Sequence, residues 1–350
     1  MKKMLTKTDS QKPRGRQIRG FGVYFLVSAS LIIFAFGCGD SLQKAPGPDT
    51  ALIASLKEQA IQIVDQELSH FDPRIRVAAI EVVAVTGQVE LMPKVQQLLK
   101  DNFVPVRFAA SVAVGDTKYR PAQSLVKQLL GDRNESVKIA AAYAITQLGS
   151  KEGFNVLRNA AAGADNLVRA NAVWLLGKTG NMQALELLYW ALEAKDSDYR
   201  TRLQAAEAIA KLGDERIYRK LWAMLISAYA DDRVMGVRAM GALGTEQAKN
   251  ALITMLDDDL LEVRLVAAAQ LGTLGSKDGE PEVLDVFTKN LTHALDKMDD
   301  IERVNVLTAL AIGQIGSPKL TKFLPRLLQN QSLFVRLAAA RAVLQCAMNK

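Results

Sequence analysis

From Phe71 onward the apolar and polar positions of this 350-residue chain fall into a repeated frame. One column is basic in eight of nine units: Arg76, Arg107, Lys138, Arg169, Arg202, Arg233, Arg264 and Arg336, with Asn305 as the exception. Successive members lie 31, 31, 31, 33, 31, 31, 41 and 31 residues apart, the kind of fixed period that stacked structural units produce. Three, four and seven residues after the column the chain is apolar, as in Ala172, Val173 and Leu176 after Arg169, or Ala141, Ala142 and Ile145 after Lys138. Those offsets draw one stripe along an α-helix. Eleven residues after the column stand Gly87, Gly149, Gly180, Gly213, Gly244, Gly275 and Gly316, where a left-handed cap ends the helix. A second apolar set follows each glycine, such as Val95, Leu98 and Leu99, and marks a second helix. No stretch reads as a strand. The pattern predicts an all-α solenoid of about nine helical hairpins over residues 51–350, with a lead-in helix near residues 51–69 and a final unpaired helix.

The first fifty residues stand outside this frame. Residues 39–50, GDSLQKAPGPDT, contain Gly39, Pro46, Gly47 and Pro48 without apolar periodicity and read as a flexible tether. Before them, residues 21–37 are uncharged and mostly apolar and end at Cys38. Charge separates the two parts. Of the formal net charge of +7, residues 1–37 hold seven basic residues against one acid, which leaves 37 basic and 36 acidic residues elsewhere. The helical part is therefore balanced and offers no basic footprint for nucleic acid. With Cys38 set aside, only Cys346 remains, in an apolar helix, so the chain has no internal disulfide framework.

Two resemblances follow. The basic segment, the apolar run and Gly37-Cys38 resemble a bacterial lipoprotein signal. That resemblance implies a removed signal over residues 1–37, a lipidated Cys38 on a tether over residues 38–50, and a cell-envelope location. Gly39 after the cysteine favours the outer membrane, and an uncleaved inner-membrane anchor stays open as the alternative. The 31-residue frame resembles the HEAT-repeat family, in its short variety shared with bilin-attaching lyases. That resemblance implies that the basic column forms a structural ladder with aspartates six residues before it, here Asp101, Asp132, Asp196, Asp258 and Asp299. It also implies a concave face lined by second helices.

Sixteen and twenty residues after the basic column, the second helices carry residues four apart on one face. In the middle units these are Phe154, Leu185, Tyr189, Tyr218, Trp222 and Ile253, whereas other units place Gln96, Lys127 and Lys249 there. They read either as a partner-binding patch or as bulky packing beside the two extra residues before Arg202. Tyr143 and Trp174 share a column with Glu81, Glu207 and Arg341, expected on the outer face. The 41-residue spacing marks an insertion, placed at the Ser276–Pro281 loop.

Catalytic chemistry finds little support. Di-iron hydroxylases of HEAT architecture need several His-Glu pairs, and this chain has only His70 and His293, neither followed by glutamate. Phosphate loops and serine nucleophile motifs are absent. The expectation is therefore a non-catalytic, monomeric scaffold. It is anchored through lipid in the envelope, needs no cofactor or metal, and binds a protein or peptide. An enzyme or lyase-like cofactor-attachment factor is the alternative. With helix layers about 10 Å apart, an open stack would span roughly 80–90 Å.

Overall fold

A computed structural model describes residues 48–348; Cys38, the apolar run and the tether up to Gly47 lie outside the described residues. α1 (Pro48–Glu67) leads in. Hairpins follow: α2 (Pro73–Thr86) with α3 (Met92–Gln97), α4 (Val104–Asp116) with α5 (Gln123–Gln128), and α6 (Glu135–Gln147) with α7 (Lys151–Ala161). Next come α8 (Asn166–Lys178) with α9 (Leu185–Glu193), α10 (Tyr199–Lys211) with α11 (Tyr218–Leu225), and α12 (Ala230–Leu243) with α13 (Glu246–Thr254). The array continues with α14 (Leu261–Thr273) and α15 (Glu280–Thr288), then α16 (Met298–Ile315) with the short α17 (Pro318–Thr321) and α18 (Leu324–Leu328). α19 (Leu333–Met348) ends the chain's described part. The described residues contain no strand.

Local chemistry explains where the helices start and stop. Asp72 caps α2, its side chain accepting from the Arg74 amide, with Pro73 in the first turn. The seven glycines of the cap column all take positive φ, between 61° and 103°. In the second hairpin, where that position is Lys118, the lysine itself is held at φ 50°. The turn geometry therefore persists where the residue best suited to it is missing.

The array closes into a ring. The first helices α2, α4, α6, α8, α10, α12, α14, α16 and α19 each pack on the next, and α19 packs on α2. They run parallel and in register: the Gln147 side chain donates to the Lys178 carbonyl one hairpin on. α1 lies along α19 and supplies the outer helix that α19 lacks. Ile53, Ala60, Val64 and Leu68 on one face of α1 and the turn after it are 0–2% exposed. The lead-in and final helices that read as unpaired thus pair with each other.

Ring closure corrects the expected sidedness and the elongated stack. First helices, not second helices, form the concave surface. The reason is a glycine column eight residues after the basic one. Gly115, Gly177, Gly241, Gly272 and Gly313 meet the following first helix directly. A Cβ at Gly177 would lie 2.6 Å from the Ala208 Cα, and one at Gly272 would lie 2.8 Å from the Gln314 carbonyl carbon. Such close approach on the first-helix side, against bulkier second helices, bends the stack toward the first helices until its ends meet.

The insertion also sits elsewhere. The turn at residues 276–279 has ordinary length, and Glu280 and Pro281 open α15. The extra residues lie after α15, in a left-handed Asn290, a 3-10 turn at Leu291–Ala294, and an added first turn of α16.

Candidate functional site

The basic column lies at the end of the ring where first helices begin. Arg107 donates to the Asp101 carbonyl at 2.8 Å and reaches both Asp132 oxygens of the next hairpin at 2.8 and 3.0 Å. Arg76 does the same with the His70 carbonyl and Asp101, Arg169 with the Gly163 carbonyl and Asp196, and Arg233 with the Ser227 carbonyl and Asp258. Each arginine stitches its own loop to the next one. Arg264 departs from the pattern and takes Glu282 at 2.8 Å, because the insertion removes Asp299 from reach. Lys138 pairs with Glu135 on its own helix, and Arg202 donates to the Ala194 carbonyl, so neither extends the ladder. Arg336 sits 3.7 Å from Glu67 of α1, which carries an ion pair across the seam.

Burial alone would raise the Asp132 carboxyl, but hydrogen bonds from Arg107 and the Asn134 amide outweigh it and hold its pKa below the usual 3.8. The stabilisation from this pair is full above that value and is lost as pH falls through the lower folded one. Both partners are nearly buried, at 7% and 9% side-chain exposure. Arg107→Ala is therefore expected to cost about 3 kcal/mol, since it strands a buried carboxylate. Urea unfolding at pH 7 measures this, and a loss under about 0.5 kcal/mol would assign the ladder no structural weight.

The residues expected to form a patch lie on the outer helices. Phe154 is buried in the core, and Leu185, Tyr189 and Tyr218 are half-buried against it. Arg216 covers the Tyr189 ring at 5.1 Å, and Tyr218 stacks on Trp222. Only Trp222 and Ile253 are exposed, at 39% and 37%. They do not line a groove. They join a different set: of thirteen large apolar side chains exposed among the described residues, only Val89, Met182 and Met348 lie at the glycine-capped end. The other ten, including Phe71, Phe103, Tyr199, Trp222, Ile226 and Tyr229, lie at the ladder end. Sequence reasoning missed this set because its members occupy different columns of the repeat and share only an end of the ring.

The interior of the ring is a cavity of about 1250 Å³ lined by first helices from α2 to α16. Its layers follow the repeat frame. Arg200, Asp231, Glu262 and Arg303 stand two residues before the basic column, at the ladder end. Val77, Phe108, Leu203, Val234 and Leu307 form an apolar belt one or two residues after it. Five and nine residues after it come Glu81, Trp174, Glu207 and Arg238, then Asp116, Lys178 and Lys211. The column holding Tyr143 and Trp174, expected outside, thus faces inward, as the sidedness of the ring requires.

These deep groups keep part of their surface on the cavity while protein surrounds them. Lys178 bonds Asp116 at 2.9 Å, and the Tyr143 hydroxyl donates to the same carboxylate at 2.5 Å. Lys211 pairs with Glu207 at 2.6 Å. Burial would raise the Glu207 carboxyl, yet Lys211, Arg238 and Lys178 bring it below its usual value. At Glu81 burial wins over the attraction of Arg341, Lys178 and Arg238, and pushes its pKa up to about 8. Burial brings Arg341 down to about 10 and lowers Arg238 as well. Neither histidine belongs to this cluster: His70 packs on Phe71 and His293 is exposed. Among the described residues no group of three or more His, Cys, Asp or Glu is placed to hold a metal. The Cys346 thiol is buried in α19.

Three overlapping matches to a family model described as HEAT repeats cover residues 61–146, 122–188 and 154–235, together half of the chain. No curated protein matches it in sequence. Among solved structures it is similar to human deoxyhypusine hydroxylase, at 19% identity over 76% of this chain and 98% of that one, with a TM-score of 0.36. It is also similar to the complex of CpcE and CpcF of phycocyanin lyase from Nostoc, at 19% identity over 79% and 98%, TM-score 0.43. A mutant of Kap121p matches at 14% identity over 81% of this chain and 37% of that one, TM-score 0.32.

Proposed function

The chain belongs to the HEAT-repeat family, and on that premise we propose that it is a non-catalytic scaffold, tethered to an envelope membrane through lipid on Cys38, that binds a protein partner at the ladder end of its ring. The observation that carries this reading is the gathering of exposed large apolar side chains at one end. Exposed large apolar side chains gathered at one end of a molecule suit an interaction site. The chain's path supports it. Glu67 at the end of α1 meets Arg336 at the ladder end, so α1 begins, at Pro48, on the glycine-capped side. An anchor there turns the apolar end away from the membrane, toward other envelope proteins. Exposed charges of both signs border the apolar set at that end, Asp257, Asp259, Asp296 and Asp299 beside Arg74, Arg133, Lys195 and Lys297, so the partner surface is apolar with a margin of mixed charge.

Trp222→Ala is expected to weaken capture of the envelope partner by about 2 kcal/mol, the scale of an interfacial aromatic anchor, with little change in melting temperature. Crosslinking in intact envelopes followed by mass spectrometry identifies the partner and reads the variant. Undiminished capture by both Trp222→Ala and Tyr229→Ala would remove the ladder end as the site. Lipid on Cys38 has its own check. Intact-mass analysis should show a chain that begins at an acylated Cys38, and Cys38→Ala should abolish the acyl mass. An uncleaved N-terminus with an unmodified thiol contradicts the anchor. No helix among the described residues is long and apolar enough to cross a membrane.

One observation favours the second reading, an enzyme in the central cavity. Glu81 holds its proton near neutral pH, which suits general acid–base work. In that case Glu81→Gln would abolish turnover while leaving partner capture intact.

A further inference from the structure

The central cavity has a chemistry of its own, distinct from the ladder-end surface. It runs the length of the first helices: on α12 its lining begins at Asp231 and reaches Gly244, about 20 Å further along the axis at 1.5 Å per residue. The charged side chains of its wall answer one another. Lys178 bonds Asp116 at 2.9 Å, Lys211 bonds Glu207 at 2.6 Å, and Arg303 meets Glu262 at 3.4 Å near the ladder end. Arg238 is drawn to both Glu207 and Glu81. At the same depth α14 and α16 carry no charge, presenting Gln270 and Thr273, and Leu310 and Gln314. A charged guest would leave its own hydration behind and find the countercharges already engaged, so the wall favours an uncharged one.

One polar group of the wall is unanswered. Gln204 of α10 lines the cavity at the height of the apolar belt and is 7% exposed, and its Oε1 accepts no hydrogen bond among the described residues. Asn171 holds the same position in the preceding hairpin, two residues after the basic column, and its amide donates to the Ser136 hydroxyl at 3.2 Å. Asn171 is thus served from within the wall, whereas Gln204 offers a buried acceptor to the cavity. A buried acceptor without a donor costs free energy, and a guest that brings a donor recovers it. We infer that the cavity binds an uncharged amphiphile with one apolar chain and a hydroxyl head, the hydroxyl donating to Gln204 Oε1 and the chain lying against Phe108, Val234, Leu307 and Leu310. A hydroxyl supplies the donor without bringing a charge. A mostly apolar wall with few placed polar groups is the usual make-up of a small-molecule site. The volume, about 1250 Å³, exceeds the range of roughly 300–1,000 Å³ for such sites, and the length of the cavity leaves room for a long chain.

Calorimetric titration of the full chain with hexanol, octanol and decanol tests this directly. Affinity should rise about tenfold for every two methylenes, the transfer value of buried CH₂ groups. Decyl methyl ether, which has the chain and no donor, should bind about tenfold more weakly than decanol. Decanoate and decylamine should each bind about tenfold or more below decanol, because their charges find no free partner. Gln204→Leu should bring decanol and the ether to equal affinity, a change that a merely structural role for Gln204 would not produce. The ligand series on the wild-type chain decides the matter even where that variant fails to fold. Equal affinity of the wild-type chain for decanol and the ether, tighter binding of decanoate or decylamine, no chain-length dependence, or an alcohol preference that survives in folded Gln204→Leu would each overturn the inference. Partner capture at the ladder end is unaffected by any of these results, so the two proposals fail independently.

Discussion

Val64→Asp is expected to spring the ring open. Val64 is 0% exposed on the face of α1 that packs on the ring, and α1 is the outer helix that α19 needs. A carboxylate there is either ionised without a partner or protonated at the cost of its ordinary pKa, and both outcomes strain the seam. The loss should reach about 4 kcal/mol, at the high end for single substitutions. Its signature is local: α19 and α2 should lose hydrogen-exchange protection before the middle hairpins, because neighbouring units in a repeat array lose stability unit by unit. Ile53→Ala, which only empties space at the same seam, should cost roughly 2–4 kcal/mol. Unchanged melting and unchanged protection of α19 in Val64→Asp would show that α1 does not close the ring.

Glu81→Gln carries the second large effect, with a sign opposite to most core substitutions. The folded pKa near 8 lies above the ordinary 4.5. Between those values the folded state binds more protons than the unfolded chain, so stability falls as pH rises through that window. At about 1.4 kcal/mol per unit the full span is on the order of 5 kcal/mol, before relaxation of the site reduces it. Glutamine keeps the shape and has no charge to bury. The variant should match wild type near pH 5 and exceed it by about 2–4 kcal/mol at pH 9. Thermal or urea unfolding across pH 5–9 measures the difference. Parallel curves would mean that Glu81 is already ionised in the folded protein at neutral pH.

Much of this architecture was legible in the residues. The 31-residue frame, the helix stripes and the glycine cap column led to helical hairpins because each is a local signal with a local cause. The ladder arginines lie where their column placed them, although Lys138 and Arg202 broke away because the groups they meet sit in their own unit. Sidedness reads the wrong way round from the family resemblance, with second helices on the concave face, and closure has no reading at all. The signal for both existed in the second glycine column, Gly115, Gly177, Gly241, Gly272 and Gly313, one turn before the cap column. A glycine three residues ahead of a capping position reads as tolerated small-residue packing until its neighbour is known. That neighbour is another first helix, and curvature follows from it. The inward charges were misplaced for the same reason: Glu81, Glu207 and Arg341 look like solvent-facing positions on a helix, and only closure turns them into an interior. No local rule reports that α19, at one end of the described array, will meet α1 and α2 at the other.

Small-angle scattering of the helical domain, residues 48–350, tests closure most directly. A closed ring has the compactness of a folded domain of this length, and its radius of gyration should lie near 20 Å. A markedly larger radius, with a maximum dimension near the roughly 80–90 Å of an open stack, would contradict the ring and with it the central cavity.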